Sequence, residues 1–65
     1  MKGVELMYDS IKHETEEAML VEFEPEVEVW LPKSQCDEIT IDGVETLVMP
    51  EWLMEEKGLE AYIYE

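Results

Sequence analysis

Residues 18–32 read AMLVEFEPEVEVWLP, and the way they pair decides the fold. Glu22, Glu24, Glu26 and Glu28 occupy every second position, with Val21, Phe23, Val27, Val29 and Leu31 between them. A period of two belongs to an extended strand, with carboxylates on one face and apolar groups on the other. Centring a hairpin on Pro25 pairs Phe23 with Val27, Val21 with Val29 and Met19 with Leu31, apolar against apolar. The same register sets Glu22 opposite Glu28 and Leu20 opposite Trp30 on the other face. A two-residue loop at Pro25-Glu26 would bring Phe23 against Glu28, so the loop is expected to hold three or five residues. Pro25 has no amide hydrogen to donate and belongs in the connection. A single strand bent at Pro25 is the alternative.

Downstream, PKSQCDE is polar and turn-like, and ITIDGVETLVM (39–49) is the clearest local signal in the chain. Asp42-Gly43 between alternating runs predicts a type I′ hairpin pairing Ile41 with Val44 and Ile39 with Thr46. PEWLMEEKG (50–58) predicts a short helix of about two turns. Pro50 suits its first position, Glu51 its positive end and Lys57 its negative end, with Gly58 just beyond. Trp52 and Leu53 are expected to pack it onto the sheet. Leu59, Ala61 and Ile63 alternate with Glu60, Tyr62 and Tyr64, so AYIYE reads as a last edge strand.

Upstream, MKGVELMYDSIKHETEE fits two periods. Val4, Leu6 and Tyr8 alternate as in a strand, while Val4, Met7, Tyr8 and Ile11 share a helical face. The strand is the preferred reading, ending near His13, with the polar cluster His13–Glu17 turning into residue 18. The sum is one domain over residues 1–65 in the α+β class, nearly all-β. It is a small antiparallel sheet of four to six strands with one short helix near residues 50–57.

The charge is the outlier. Eighteen Asp and Glu against four Lys and no Arg leave −14 on 65 residues. A compact chain of this length has a radius of gyration of roughly 11 Å. Duplex DNA carries one charge per about 1.7 Å of axis, so fourteen charges match roughly 24 Å of duplex. The charge per length resembles that of DNA, which favours a basic partner and disfavours direct contact with nucleic acid or an anionic membrane. Solubility is the plainer purpose of such a charge. Yet Glu is a poor strand former, and Lys, Thr or Gln would solvate a strand equally well. The alternating carboxylates, with Glu16 and Glu17 beyond one end, are therefore read as a selected negative face. Trp30 has the parity of that face. It is either covered by another segment or an aromatic anchor inside an acidic rim.

Catalytic constellations are missing, and no enzyme is expected. His13 is the only His, in a polar setting with nothing local to build a triad. Cys36 is the only Cys, so no internal disulfide forms, and its expected role is that of a small buried hydrophobe. Two soft ligands are too few for a structural zinc site, and DEITIDG lacks the spacing of a calcium loop. The three glycines form no phosphate loop, and no cofactor is expected. Without a signal-peptide core or a long apolar run, residence in a reducing cytoplasm is expected.

The segments Val29-Trp30-Leu31-Pro32-Lys33-Ser34-Gln35 and Met49-Pro50-Glu51-Trp52-Leu53, followed by Lys57-Gly58, resemble a group of small, functionally uncharacterised proteins of bacteriophages and prophages. YDSIKHETEEAMLV (8–21) is similar to the openings of such proteins. The resemblance implies phage origin and the cytoplasm of a bacterial host. By analogy of class, small acidic phage proteins act against host defences, and several anti-CRISPR and anti-restriction proteins mimic DNA with carboxylates. The resulting expectation is an inhibitor that occupies the basic channel of a host nucleic-acid-binding complex, such as CRISPR–Cas. Its contact residues would be Glu22, Glu24, Glu26, Glu28, Trp30, Glu16 and Glu17. The alternative is a phage accessory module for replication, recombination or assembly, contacting its partner through PKSQC and the Trp52 helix. An exposed sheet edge would suit a homodimer in either case.

Overall fold

A computed structural model describes residues 3–64. Strands β1 (Gly3–Met7), β2 (Ser10–Glu14), β3 (Ala18–Glu24) and β4 (Val27–Pro32) come first. A 3₁₀ turn at Lys33–Gln35 leads to β5 (Asp37–Ile41) and β6 (Val44–Pro50). Helix α1 (Glu51–Lys57) and a second 3₁₀ turn at Glu60–Tyr62 follow. The six strands do not form one sheet. They make two antiparallel three-stranded sheets, ordered β1-β6-β5 and β2-β3-β4.

The split arises at the N-terminus. The expected single first strand is interrupted at Tyr8-Asp9, and its two halves join different sheets. Across the bend the Asp9 amide donates to the Glu22 carbonyl at 2.8 Å, so the second sheet starts where the first lets go. In the first sheet Val4, Leu6, Leu47 and Met49 share the inner face. In the second, Met19, Val21 and Leu31 do. Both sets belong to one hydrophobic cluster, completed by Phe23, Cys36, Leu53, Met54 and Leu59. Leu6, Val21, Leu31 and Leu47 are fully excluded from solvent, each worth about 1.5–3 kcal/mol of transfer energy.

The β3–β4 hairpin keeps its expected register over most of its length: Met19 faces Leu31, Leu20 faces Trp30, Val21 faces Val29 and Glu22 faces Glu28. Its end differs. Glu24, not Phe23, pairs with Val27, and the ladder shifts between Glu22 and Glu24. The loop is therefore the two-residue Pro25-Glu26 turn, and an extra residue at Phe23, a β-bulge, restores the apolar pairing below it. A long loop and a bulge satisfy the same parity, and the sequence pattern does not separate them.

Asp42-Gly43 turns β5 into β6 as expected, with φ 51° and 80° and the pairs Ile41–Val44 and Ile39–Thr46. Helix α1 begins one residue later than expected, because Pro50 remains extended at φ −63°, ψ 146°. Gly58 closes it in the left-handed region at φ 69°, ψ 39°. The Gly58 amide donates to the Glu55 carbonyl and the Leu59 amide to the Met54 carbonyl, a Schellman end sealed by the buried Met54 and Leu59. Leu53 and Met54 face inward, one turn beyond the buried Met49 and Pro50, which leaves Trp52 outside with 51% exposure. The expected inward Trp52 is thus corrected by the phase in which β6 feeds the helix. The expected last strand shrinks to one Leu6–Ile63 bridge after a 3₁₀ turn, with the Tyr64 amide donating to the Glu5 carbonyl. Glu65 lies outside the described residues.

Candidate functional site

The acidic hairpin is built from one rung upward. Ser10, Glu22 and Glu28 form a rung on the outer face of the second sheet, and His13, Leu20 and Trp30 form the next. Trp30 retains 46% exposure there, so its ring is an exposed aromatic on that face. Glu22 lies on the central strand and is the one described acidic residue that is not exposed. The register of β2 slips between Ile11 and His13, leaving Lys12 as an extra residue whose Nζ lies 3.4 Å from Glu22 Oε1. The Ser10 hydroxyl is also 3.4 Å from that oxygen. Glu28, opposite, is exposed on the edge strand β4.

The bulge at Phe23 changes the facing of the residues beyond it. Glu24 pairs with Val27 and takes the side of Val27, Val29 and Leu31 instead of that of Glu22. There it accepts a hydrogen bond from the Tyr62 hydroxyl. Glu26 sits in the turn at φ 72°. The four alternating glutamates are thus not one continuous row: Glu22 and Glu28 share a rung, Glu24 lies on the rim of the opposite face, and Glu26 caps the end.

Glu16 and Glu17 are exposed in the β2–β3 turn at the other end of the hairpin. The Thr15 amide donates to the Ala18 carbonyl at 2.8 Å, and the Ala18 amide to the Thr15 hydroxyl at 3.0 Å, which pins the turn. Lys33 meets this corner twice, donating its amide to the Glu17 carbonyl and placing Nζ 2.9 Å from Glu14.

Two further surfaces were not singled out in the sequence. On the outer face of the first sheet, Met7, Thr46 and Ile39 form one rung, with Val44 and Ile41 on the next. Met7, Ile39 and Val44 are exposed. The unbroken apolar run Leu47–Pro50 signals a central strand that is apolar on both faces, so this surface was readable. Its far end descends into a recess of about 280 Å³ between Ser34-Gln35 and Val48, Pro50.

The second surface is a groove of about 740 Å³ at the bend between the sheets, walled by Tyr8, Asp9, Phe23, Glu24 and Tyr62. Phe23 and Tyr62 stack at 5.1 Å between ring centres and 28° between planes. The Glu24 contact, more than burial, pushes the Tyr62 phenol above its ordinary range. Tyr8 is raised by burial first and then by Glu45 and Glu38. No local pattern announces this groove, because Glu24 and Tyr62 are remote in sequence.

Cys36 is buried and its thiol is pushed up to about 11, by burial first and then by Asp37. Among the described residues no group of three or more His, Cys, Asp or Glu is placed to hold a metal ion. No helix there is long and apolar enough to cross a membrane. Comparison with known proteins finds no match among family models, curated proteins or solved structures.

Proposed function

We propose that the chain is a phage-encoded acidic binding protein that occupies a basic nucleic-acid-binding surface of a host defence complex of the CRISPR–Cas kind. One observation carries the reading. Every described Asp and Glu except Glu22 is exposed, and only Glu14 and Glu22 are ion-paired to described lysines. The negative charge is therefore presented outward instead of being neutralised within the chain. It is spread over a particle of 27 × 24 × 20 Å, about as long as the duplex with the same charge. The contact uses the outer face of the second sheet and both its ends: Trp30 as anchor, ringed by Glu28, Glu26, Glu16 and Glu17. Glu22 contributes less, since Lys12 and Ser10 already engage it. No covalent chemistry is required; nucleic acid is displaced because carboxylates take the place of phosphates on the partner's basic side chains, around a desolvated aromatic centre.

The test is competition. Glu16, Glu17, Glu26 and Glu28 are replaced by Gln together, and a charge-matched control replaces Glu51, Glu55, Glu56 and Glu60 on the helical side. The native protein should displace nucleic acid from the host complex, steeply less as salt rises, and the first variant should lose this while the control keeps most of it. Displacement indifferent to salt, or equal in both variants, overturns the reading.

The second reading is an accessory interaction module. It is favoured by the exposed Met7, Ile39 and Val44 on the outer face of the first sheet and by the exposed Trp52. A phage protein that binds through Ile39 or Trp52 and ignores the Gln substitutions would support it.

A further inference from the structure

We propose that the groove between the two sheets seats arginine side chains of the partner. This inference rests on the partner being basic and adds a second point of grip, at the rim of the face opposite Trp30. Three aromatic rings and two carboxylates line one open groove, with Tyr8 and Asp9 from the bend, Phe23 and Glu24 from the end of β3, and Tyr62 from the second 3₁₀ turn. A guanidinium asks for that combination, a flat π face to stack on and carboxylate oxygens for its fork of donors.

The groove is pre-arranged. Phe23 is almost fully buried and backs the partly buried Tyr62 ring. The Tyr62 hydroxyl engages Oε2 of Glu24, and no described residue engages Oε1. Asp9 supplies a second, exposed carboxylate. No described lysine lines the groove, while Lys12 and Lys33 are committed to Glu22 and Glu14. The negative charge inside is thus uncompensated by described residues.

Alternative occupants fit less well. Nucleic-acid bases would stack on the rings, but their phosphates would approach Asp9, Glu24 and a −14 chain. A second copy brings the same charge and no arginine at all. Lysine has the charge without the plane, and its ammonium is more strongly hydrated than a guanidinium.

The experiment titrates the isotopically labelled full chain with hexa-arginine and hexa-lysine peptides, following backbone amide shifts by NMR. Hexa-arginine should bind several-fold more tightly than hexa-lysine, with the largest shifts at Tyr8, Asp9, Glu24 and Tyr62. Replacing Asp9 by Asn and Glu24 by Gln should weaken hexa-arginine about tenfold, the scale of a charged hydrogen bond lost. Glu55→Gln with Glu56→Gln, an equal loss of charge, should change it less than twofold. Tyr62→Phe, which keeps the ring, should lie between. Equal affinity for the two peptides, or equal losses in groove and helix variants, overturns the groove. If displacement of nucleic acid survives that result, the proposed function stands without it. If displacement fails while the arginine preference persists, the groove remains a guanidinium site and the nucleic-acid reading falls.

Discussion

At Glu26 the backbone adopts φ 72°, a left-handed conformation that costs an L residue with a Cβ about 1–2 kcal/mol. Asp42 carries a similar strain at φ 51°, but there the residue type tolerates it better and Gly43 comes next. Glu26→Gly should therefore stabilise the fold by about 1 kcal/mol, less the added freedom of the unfolded glycine. Thermal melts should show a rise of about 4–8 °C per kcal/mol for a domain of this size. Glu26→Gln removes the same charge but keeps the Cβ, so its gain should be clearly smaller.

Cys36 offers a second check at this scale. A thiol raised from 9.0 to about 11 holds roughly a hundredfold less thiolate at neutral pH. Alkylation of native Cys36 should be slower than that of the denatured chain by at least that factor, read by mass spectrometry over time. The linkage has a definite sign: folding favours the neutral thiol, so its contribution is complete below pH 9 and is lost as pH climbs through about 11. Tyr8 and Tyr62 are raised as well and act in the same direction. Melting temperature should accordingly fall on the alkaline side, and less so in Cys36→Ser.

Among the elements, the β3–β4 hairpin sets stability against the proposed contact. Glu22 and Glu28 face each other across the ladder, an arrangement of like charges that destabilises by a few tenths to about 1 kcal/mol. Glu28→Thr, which also restores a good strand former, should raise the melting temperature at low salt and weaken displacement of nucleic acid. A variant that gained stability without losing displacement would remove Glu28 from the contact. This hairpin also marks what was legible in the sequence. Its lower rungs were, because a one-residue slip would have turned Met19, Val21 and Leu31 out to water. The Asp42-Gly43 turn was legible because so few residue pairs accept two positive φ angles.

The bulge at Phe23 was not legible, since it conserves the parity that a longer loop would also give. It is nonetheless what separates Glu24 from Glu22 and breaks the expected acidic row. The outward Trp52 and the shortened last strand depend on how β6 and the C-terminal segment reach the core, which is tertiary information. Of the expected contact residues, the exposure of Glu16, Glu17, Glu26 and Glu28 matches the alternation and turn chemistry, whereas the parity of Trp30 left both a covered and an exposed ring open, and the ring is exposed. The fate of Glu22 and Glu24 was set by partners, Lys12 and Tyr62, that no local pattern connects to them.

For the molecule as a whole, the charge acts on itself. At about 0.01 M salt the Debye length is about 30 Å, and at 1 M it is about 3 Å. The particle measures 27 Å along its longest axis and has a radius of gyration of 10.8 Å. Every carboxylate therefore feels the others in dilute buffer and only its neighbours in strong salt. Melting temperature should rise monotonically over that range, as self-repulsion is screened. A chain whose stability fell or stayed level with added salt would hold its carboxylates in compensated pairs. The same titration should weaken the proposed binding to a basic partner, so salt ought to drive stability and displacement in opposite directions.

The bent segment Gly3–Glu14 serves both layers, and β1 meets β6, its pairing partner from most of the chain away. During synthesis the β3–β4 and β5–β6 hairpins are local and free to close early, whereas β1 must wait until Pro50 has left the ribosome. A distant pairing of this kind carries the loop-closure cost that slows folding. Completion of the first sheet is thus a late, whole-chain event, and a nascent fragment that stops short of β6 leaves the first strand without its mate.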